Sequence, residues 1–231
     1  MTRLKAQIGL LERKFAQPSE FIRGLRDLFD FYAYRVYKPG QTVPPAHLLP
    51  AYHVPPLVML KLQTSLRPLC LAREAQALAL VDALCDEKML EPRILAAHLL
   101  GYLPPTSSAA VLHRLQRWST PAEDRPILQA LLDSGTATLR REDVQAWLTV
   151  IQTWLGAPDP AVQSIGLHAL LPLINDPIFK NLPAVFSAVT PLLHRAPPNL
   201  QSDLQDSLQA CARRSPVETG YFLRQVLSMS S

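Results

Sequence analysis

Ala77–Leu103, ALALVDALCDEKMLEPRILAAHLLGYL, reads as two antiparallel helices joined by a short turn, and the rest of the chain is organised around it. Leu78, Val81 and Cys85 recur on one helical face, and Leu80 and Leu84 widen it. Asp86–Met89 is the turn. The second helix is expected to start near Pro92, where a residue without an N–H costs least. Glu91 beside it suits the positive end of the helix dipole. Ile94, Leu95, Ala97, Leu99, Leu100 and Tyr102 then leave almost no polar face. A helix apolar nearly all round must be covered on several sides, so this hairpin needs neighbours of the same kind.

The following chain supplies them. Leucine-rich segments with helical spacing run to the end, glycine is scarce (8) and proline abundant (22), and no sustained alternating pattern marks a strand. Residues 1–231 are therefore expected to form one all-α domain. Its parts are N-terminal helices over 1–40, a proline-rich connection over 41–56, and helical hairpins over 57–231. The connection is either a functional loop or a strap over the first hairpins, and the strap is the preferred reading.

Individual boundaries follow from local signals. Thr2–Phe15 and Pro18–Tyr37 are helical, then Leu57–Leu71 and Thr106–Trp118. Thr120-Pro121-Ala122-Glu123 has the form of a capping box with proline at the first helical position. Pro126 conflicts with it, because a proline that deep kinks a helix or moves its start. That helix is expected to end at Gly135. Further helices are expected over Arg141–Leu155, from Asp159-Pro160 to Ile174, over Leu182–Arg195 behind Asn181 or Asp176, over Leu200–Arg214 behind Asn199, and from Ser215-Pro216-Val217-Glu218 to about Leu227. Corresponding helix starts near Pro92, Pro121, Pro160 and Leu200 approach the period of HEAT or armadillo hairpins, which predicts a right-handed superhelical solenoid.

The net charge is +4, and residues 1–40 carry all of it, with eight Lys/Arg against four acids. Arg13, Lys14, Arg23, Arg26 and Lys38 form the excess that an anionic partner would use, and duplex DNA fits it. The alternative is a protein partner on the concave face, which the neutral remainder of the chain suits. Cys70, Cys85 and Cys211 are odd in number and far apart, as buried thiols in a reducing compartment would be, so a cytoplasmic location is expected. No apolar run approaches the ~18 residues of a membrane span, and the N-terminus lacks the apolar core of a signal peptide.

Motifs for chemistry are absent. There is no HExxH, no CxxC, no glycine-rich phosphate loop and no GxSxG, so neither a metal nor an organic cofactor is expected. His98 and His168 lie in apolar helices and read as core or interface residues. Trp118, Trp147 and Trp154 read as core or groove anchors.

Several stretches together carry a resemblance. Tyr52-His53-Val54-Pro55-Pro56, the hairpin Leu80–Asp86, and Glu91-x-Arg93-Ile94-Leu95-Ala96-Ala97-x-Leu99-Leu100-Gly101 resemble the bacterial DNA alkylation repair proteins with AlkD-like HEAT repeats. Trp154, Asp159-Pro160-Ala161-Val162 and Ile165-Gly166-Leu167 are similar to a later repeat of that family. Ala212-Arg213-Arg214-Ser215-Pro216-x-Glu218-Thr219-x-Tyr221-Phe222-Leu223-Arg224 is similar to its terminal hairpin. The likeness spans residues 52–227 and rests mainly on packing positions.

The resemblance implies a curved solenoid with a basic concave face for duplex DNA. In the family's alkylpurine glycosylases it implies an aromatic and a carboxylate one helical turn apart, facing the damaged nucleotide, with a supporting arginine and second tryptophan. A carboxylate there stabilises positive charge developing on the sugar as the base leaves. This chain lacks that Trp-x-x-x-Asp: Ala122, Ile151 and Pro158 stand four residues after the three tryptophans. Val162 and Gln163 stand where the family carries arginine. The expectation is a non-catalytic module that binds nucleic acid or protein. A glycosylase with a divergent site, built from Asp124 or Glu123 with Trp118, is the alternative.

Overall fold

A computed structural model of the chain describes residues 2–33, 48–195 and 197–229, and every regular element among them is helical. The chain divides into two compact units, Met1–Leu115 with Glu123–Thr138, and Gln116–Ala122 with Leu139–Ser231.

In the first unit the helices are α1 (Thr2–Arg13), α2 (Pro18–Tyr32), α3 (Pro56–Ala72), α4 (Glu74–Cys85), α5 (Leu90–Leu100), the first part of α6 (Ser108–Trp118), and α7 (Arg125–Ala130). They form two rows. α1, α3, α5 and α7 lie side by side, while α2 packs on α4 and Arg114 of α6 bonds Asp82 of α4. The α4–α5 hairpin sits at the centre, and α5 is enclosed over most of its surface, with Arg93, Ile94 and His98 half-buried. α4 covers one flank, α3 another, and α7 with the π-helical turn Leu131–Gly135 a third. Leu95, Leu99 and Leu100 are completely buried, as are Leu80 and Leu84 opposite them.

α5 starts at Leu90 rather than near Pro92, behind an extended Met89. Pro92 is then the third residue of the helix, still among the first four positions whose N–H groups have no partner within a helix. Glu91 turns away from the helix end. Its carboxylate, only 7% exposed, accepts from the N–H groups of Tyr52 (2.9 Å) and Val54 (3.4 Å). Residues 48–55 form a strap across α5, and the Leu90 N–H closes it by donating to the Pro50 carbonyl (3.0 Å). His53 lies at φ 55°, a left-handed position that curls the chain round the carboxylate.

The capping box at Thr120–Glu123 does not form. Helix α7 begins at Arg125, with Pro126 in its first turn. A helix begun at Pro121 would put Pro126 in its interior, where the ring meets the carbonyl four residues back. The helical run that begins with α7 does end at Gly135, as expected, but its last turn is the π turn Leu131–Gly135 and Thr136 takes the capping position. The chain passes through the π turn and restarts as α8 (Ala137–Glu142). The reason lies in packing: the Gly101 Cα faces the Ser134 carbonyl, and a Cβ on Gly135 would stand 3.3 Å from the Ala97 carbonyl oxygen. The two glycines let the end of α5 and the π turn meet backbone to backbone.

The second unit continues with α8, α9 (Val144–Leu155), α10 (Pro160–Asn175), α11 (Leu182–Arg195), α12 (Gln201–Arg214) and α13 (Pro216–Met229). The expected helix Arg141–Leu155 is two helices. Asp143 breaks it and caps α9, accepting from the Ala146 N–H (3.4 Å). Asp159 caps α10 through the Ala161 N–H (2.9 Å) and Asn181 caps α11 through Ala184 (3.2 Å). Asn199 caps nothing. It lies in the 3-10 turn Pro198–Leu200, and α12 follows without a side-chain cap. α13 starts at Pro216 as expected. α9 pairs with α10, α10 with α12, and α13 with both α11 and α12. Trp147, fully buried, meets Trp154 edge-on with ring centroids 5.5 Å apart, and Phe186 of α11 stacks on Phe222 of α13 at 4.4 Å.

No described helix is long and apolar enough to cross a membrane.

Candidate nucleic-acid interface

The basic residues of the N-terminal helices fall into two groups. At the corner between α1 and α2, Lys14 Nζ lies 4.0 Å from Glu20, and Glu20 also pairs with Arg23 one turn further on. One carboxylate thus holds two cations together. Arg13 is exposed beside them and makes no ion pair with a described residue. Glu20 offsets part of the charge of Lys14 and Arg23, and Glu12 and Asp27 stand beside Arg13 and one turn after Arg23 along their helices.

Arg26 stands apart from that corner. Its Nε and Nη2 grip the Glu87 carboxylate at 3.0 and 2.8 Å in a two-pronged bond. The bond, with the charge of Glu87, raises the Arg26 pKa further above its ordinary value. Glu87 belongs to the α4–α5 turn, 61 residues away, so charge counted along residues 1–40 misses it. Lys38 lies outside the described residues. The structure thus brings Lys14 and Arg23 together at Glu20 and turns Arg26 towards the central hairpin.

The acidic residues around Glu123 are also engaged. Glu123 Oε2 bonds Arg93 Nη2 of α5 at 2.5 Å, and its other oxygen accepts the Asp124 N–H at 2.9 Å. The Glu123 side chain is 7% exposed. Asp124, 4% exposed, accepts the N–H groups of Leu48 (2.8 Å) and Leu49 (3.1 Å) at the near end of the strap. Asp124 and Glu91 therefore do parallel work, each matching two backbone donors that have no helical partner. Neither role is visible locally, because the strap is some 40 to 75 positions away in sequence. Trp118, the last residue of α6, is half-buried and belongs to the second unit, whereas Glu123 and Asp124 belong to the first.

None of the thiols is poised for chemistry. Burial pushes Cys70 up to about 12, and Cys85 and Cys211 to about 11; at Cys85 it outweighs the opposing pull of Arg93. Burial likewise lowers the His98 pKa, because desolvation disfavours the charged imidazolium. His168 Nε2 stands 3.5 Å from Asp203 and makes no hydrogen bond, and Ser164 Oγ donates to the same carboxylate at 2.5 Å. No group of three His, Cys, Asp or Glu among the described residues could hold a metal ion.

Compared with known proteins, residues 61–228 match a family model described as DNA alkylation repair enzyme. No curated protein and no solved structure matches the chain.

Proposed function

As the chain belongs to the DNA alkylation repair enzyme family, we propose that it is a HEAT-like module that holds duplex DNA without excising bases. The observation that carries this reading is the commitment of Glu123 and Asp124. A carboxylate that stabilises a sugar cation must face the substrate with a free oxygen in a preorganised site. Here one carboxylate is spent on Arg93 and the other on the strap's backbone. The succession of paired helices in each unit supports the HEAT-like solenoid, and three buried unpaired thiols support a cytoplasmic setting.

Contact with DNA is assigned to phosphates and to the corner Arg13, Lys14 and Arg23, with Lys38 following α2 in the chain. Binding is independent of sequence and weak, because Glu20 shares the corner. Each phosphate neutralised releases counterions, so the affinity falls with salt at a log–log slope of about −0.9 per contact. In a duplex titration followed by fluorescence anisotropy, Arg13→Ala with Arg23→Ala lowers the slope magnitude by about two. Arg26→Ala changes it little, since Glu87 already holds that guanidinium. No binding at ~50 mM salt, where phosphate contacts are strongest, would remove duplex DNA as the ligand and leave a protein partner.

The second reading, a glycosylase with a divergent site, is favoured by the family itself. It is tested by incubating alkylated duplex with the full chain and measuring free base. No release above background is expected. Release that is lost in Glu123→Gln or Asp124→Asn would establish the glycosylase.

A further inference from the structure

We propose that the outward face of α3 docks an amphipathic helix of a partner protein, one whose apolar stripe is flanked by acidic residues. α3 turns Val58, Leu62, Leu66 and Cys70 inward at four-residue spacing, and all four are buried. Its opposite face carries Leu57, Leu60 and Leu71, which are 50, 56 and 53% exposed. These three account for a large part of the big apolar side chains exposed in the first unit, and they share one helix face with Thr64 and Arg67.

Charge on this face selects the partner. α3 contains no Asp or Glu, and its two charged residues are Lys61 and Arg67. Neither makes an ion pair with a described residue, and Arg67 lies instead over the ring of Tyr102, in the turn after α5, 5.5 Å from its centroid. The guanidinium is therefore held in place with its charge unmatched, at the seam beside the leucines. Arg23, Arg26 and Arg114 of this unit do meet carboxylates, those of Glu20, Glu87 and Asp82.

A phosphate backbone would satisfy the cations but would be pressed against three leucines that offer it no hydrogen bond, which costs free energy. An amphipathic helix satisfies both features, its apolar residues at i, i+3, i+4 and i+7 meeting the leucines and its carboxylates meeting Lys61 and Arg67. Leu57 and Leu71 are roughly 21 Å apart along the axis at 1.5 Å per residue, so the partner helix spans about four turns. A face of this size lies at the small end of specific interfaces, which predicts a transient complex.

The test uses the full chain and two labelled 18-residue helical peptides, each with a leucine stripe, one flanked by glutamates and the other by lysines. Anisotropy at low salt should give the acidic peptide a Kd of about 10–100 µM, in the weak range of such interfaces. The lysine peptide should bind at least tenfold more weakly. Leu60→Glu with Leu71→Glu, and separately Lys61→Glu with Arg67→Glu, should each weaken the acidic peptide at least tenfold while leaving the melting temperature of the chain unchanged. Equal binding of both peptides, no binding of the acidic one, or indifference to the leucine pair would overturn the proposal. So would duplex DNA or anionic vesicles taking the face in its place, seen as loss of their binding in the leucine variant with no binding of the acidic peptide. The outcome is independent of the duplex titration, which reads the α1–α2 corner.

Discussion

Gly101→Ala should destabilise the chain more than replacement of any other glycine among the described residues, by more than about 3 kcal/mol. Gly101 has an ordinary right-handed conformation, φ −72° and ψ −7°, so the reason is not backbone freedom. A Cβ there would stand 1.8 Å from the Ser134 carbonyl oxygen and 2.8 Å from its carbon. The obstacle is backbone, not the end of a flexible side chain, and it is anchored because Thr138 Oγ1 donates to the Gly101 carbonyl at 2.9 Å. Relief requires the end of α5 and the π turn to separate, opening the contact that encloses Leu99 and Leu100. Overpacking usually costs ~1–3 kcal/mol, and more where the surroundings cannot yield. At ~2–4 °C per kcal/mol for a chain of this size, a drop in melting temperature of about 10 °C is expected. Gly220→Ala is the control. Nothing lies within 4 Å of its added Cβ, and it sits in α13, so it should raise stability by up to ~1 kcal/mol through helix propensity. Equal melting temperatures for Gly101→Ala and the parent would show that α5 and the π turn do not approach in this way.

Glu91→Ala is expected to free the strap. The substitution removes the acceptor for the Tyr52 and Val54 N–H groups. Buried donors left without a partner cost ~1–3 kcal/mol each, so a loss of about 2–5 kcal/mol follows, short of that where water reaches the N–H groups. Tyr52 also packs on Phe29 of α2, ring centroids 5.5 Å apart, so the strap carries a contact between the two rows with it. Hydrogen exchange should show the amides of residues 52–54 losing protection well before those of α4 and α5. Glu91→Gln, which keeps an acceptor but loses the charge, should lie between the two. If protection at residues 52–54 is the same in Glu91→Ala as in the parent, the carboxylate does not hold the strap. Asp124→Ala should act in the same way on Leu48 and Leu49.

The helices themselves were legible wherever a polar cap and an apolar period agreed. Asp159-Pro160 and Asn181 gave their starts correctly because a side-chain acceptor next to the first turn is a local device. The same logic failed at Thr120–Glu123, where two local signals competed. Pro126 prevailed because a ring inside a helix costs ~3 kcal/mol and a cap is worth ~1. It failed again at Asn199, which the 3-10 turn of Pro198–Leu200 absorbed. In the candidate interface, sequence showed that the N-terminal segment is basic, and it could not show which charges are already matched. Arg23 with Glu20 is a neighbour pair and readable, whereas Arg26 with Glu87 closes across 61 positions.

What the sequence alone determined is the class of the fold and its centre. An apolar period of 3.6 over most of the chain admits only helices, and a helix as apolar as Leu90–Leu100 has to be enclosed. Those are short-range consequences of backbone geometry and of the aversion of apolar surface to water. What only the tertiary structure decided is the work of the charged residues. Glu91, Glu123 and Asp124 look like helix-end residues in sequence, and each bonds a group brought near by folding. A carboxylate close to water and one that holds a strap have the same letter. The difference is which donors folding sets within hydrogen-bond reach of it, and a buried backbone N–H, lacking water, takes the acceptor that packing provides.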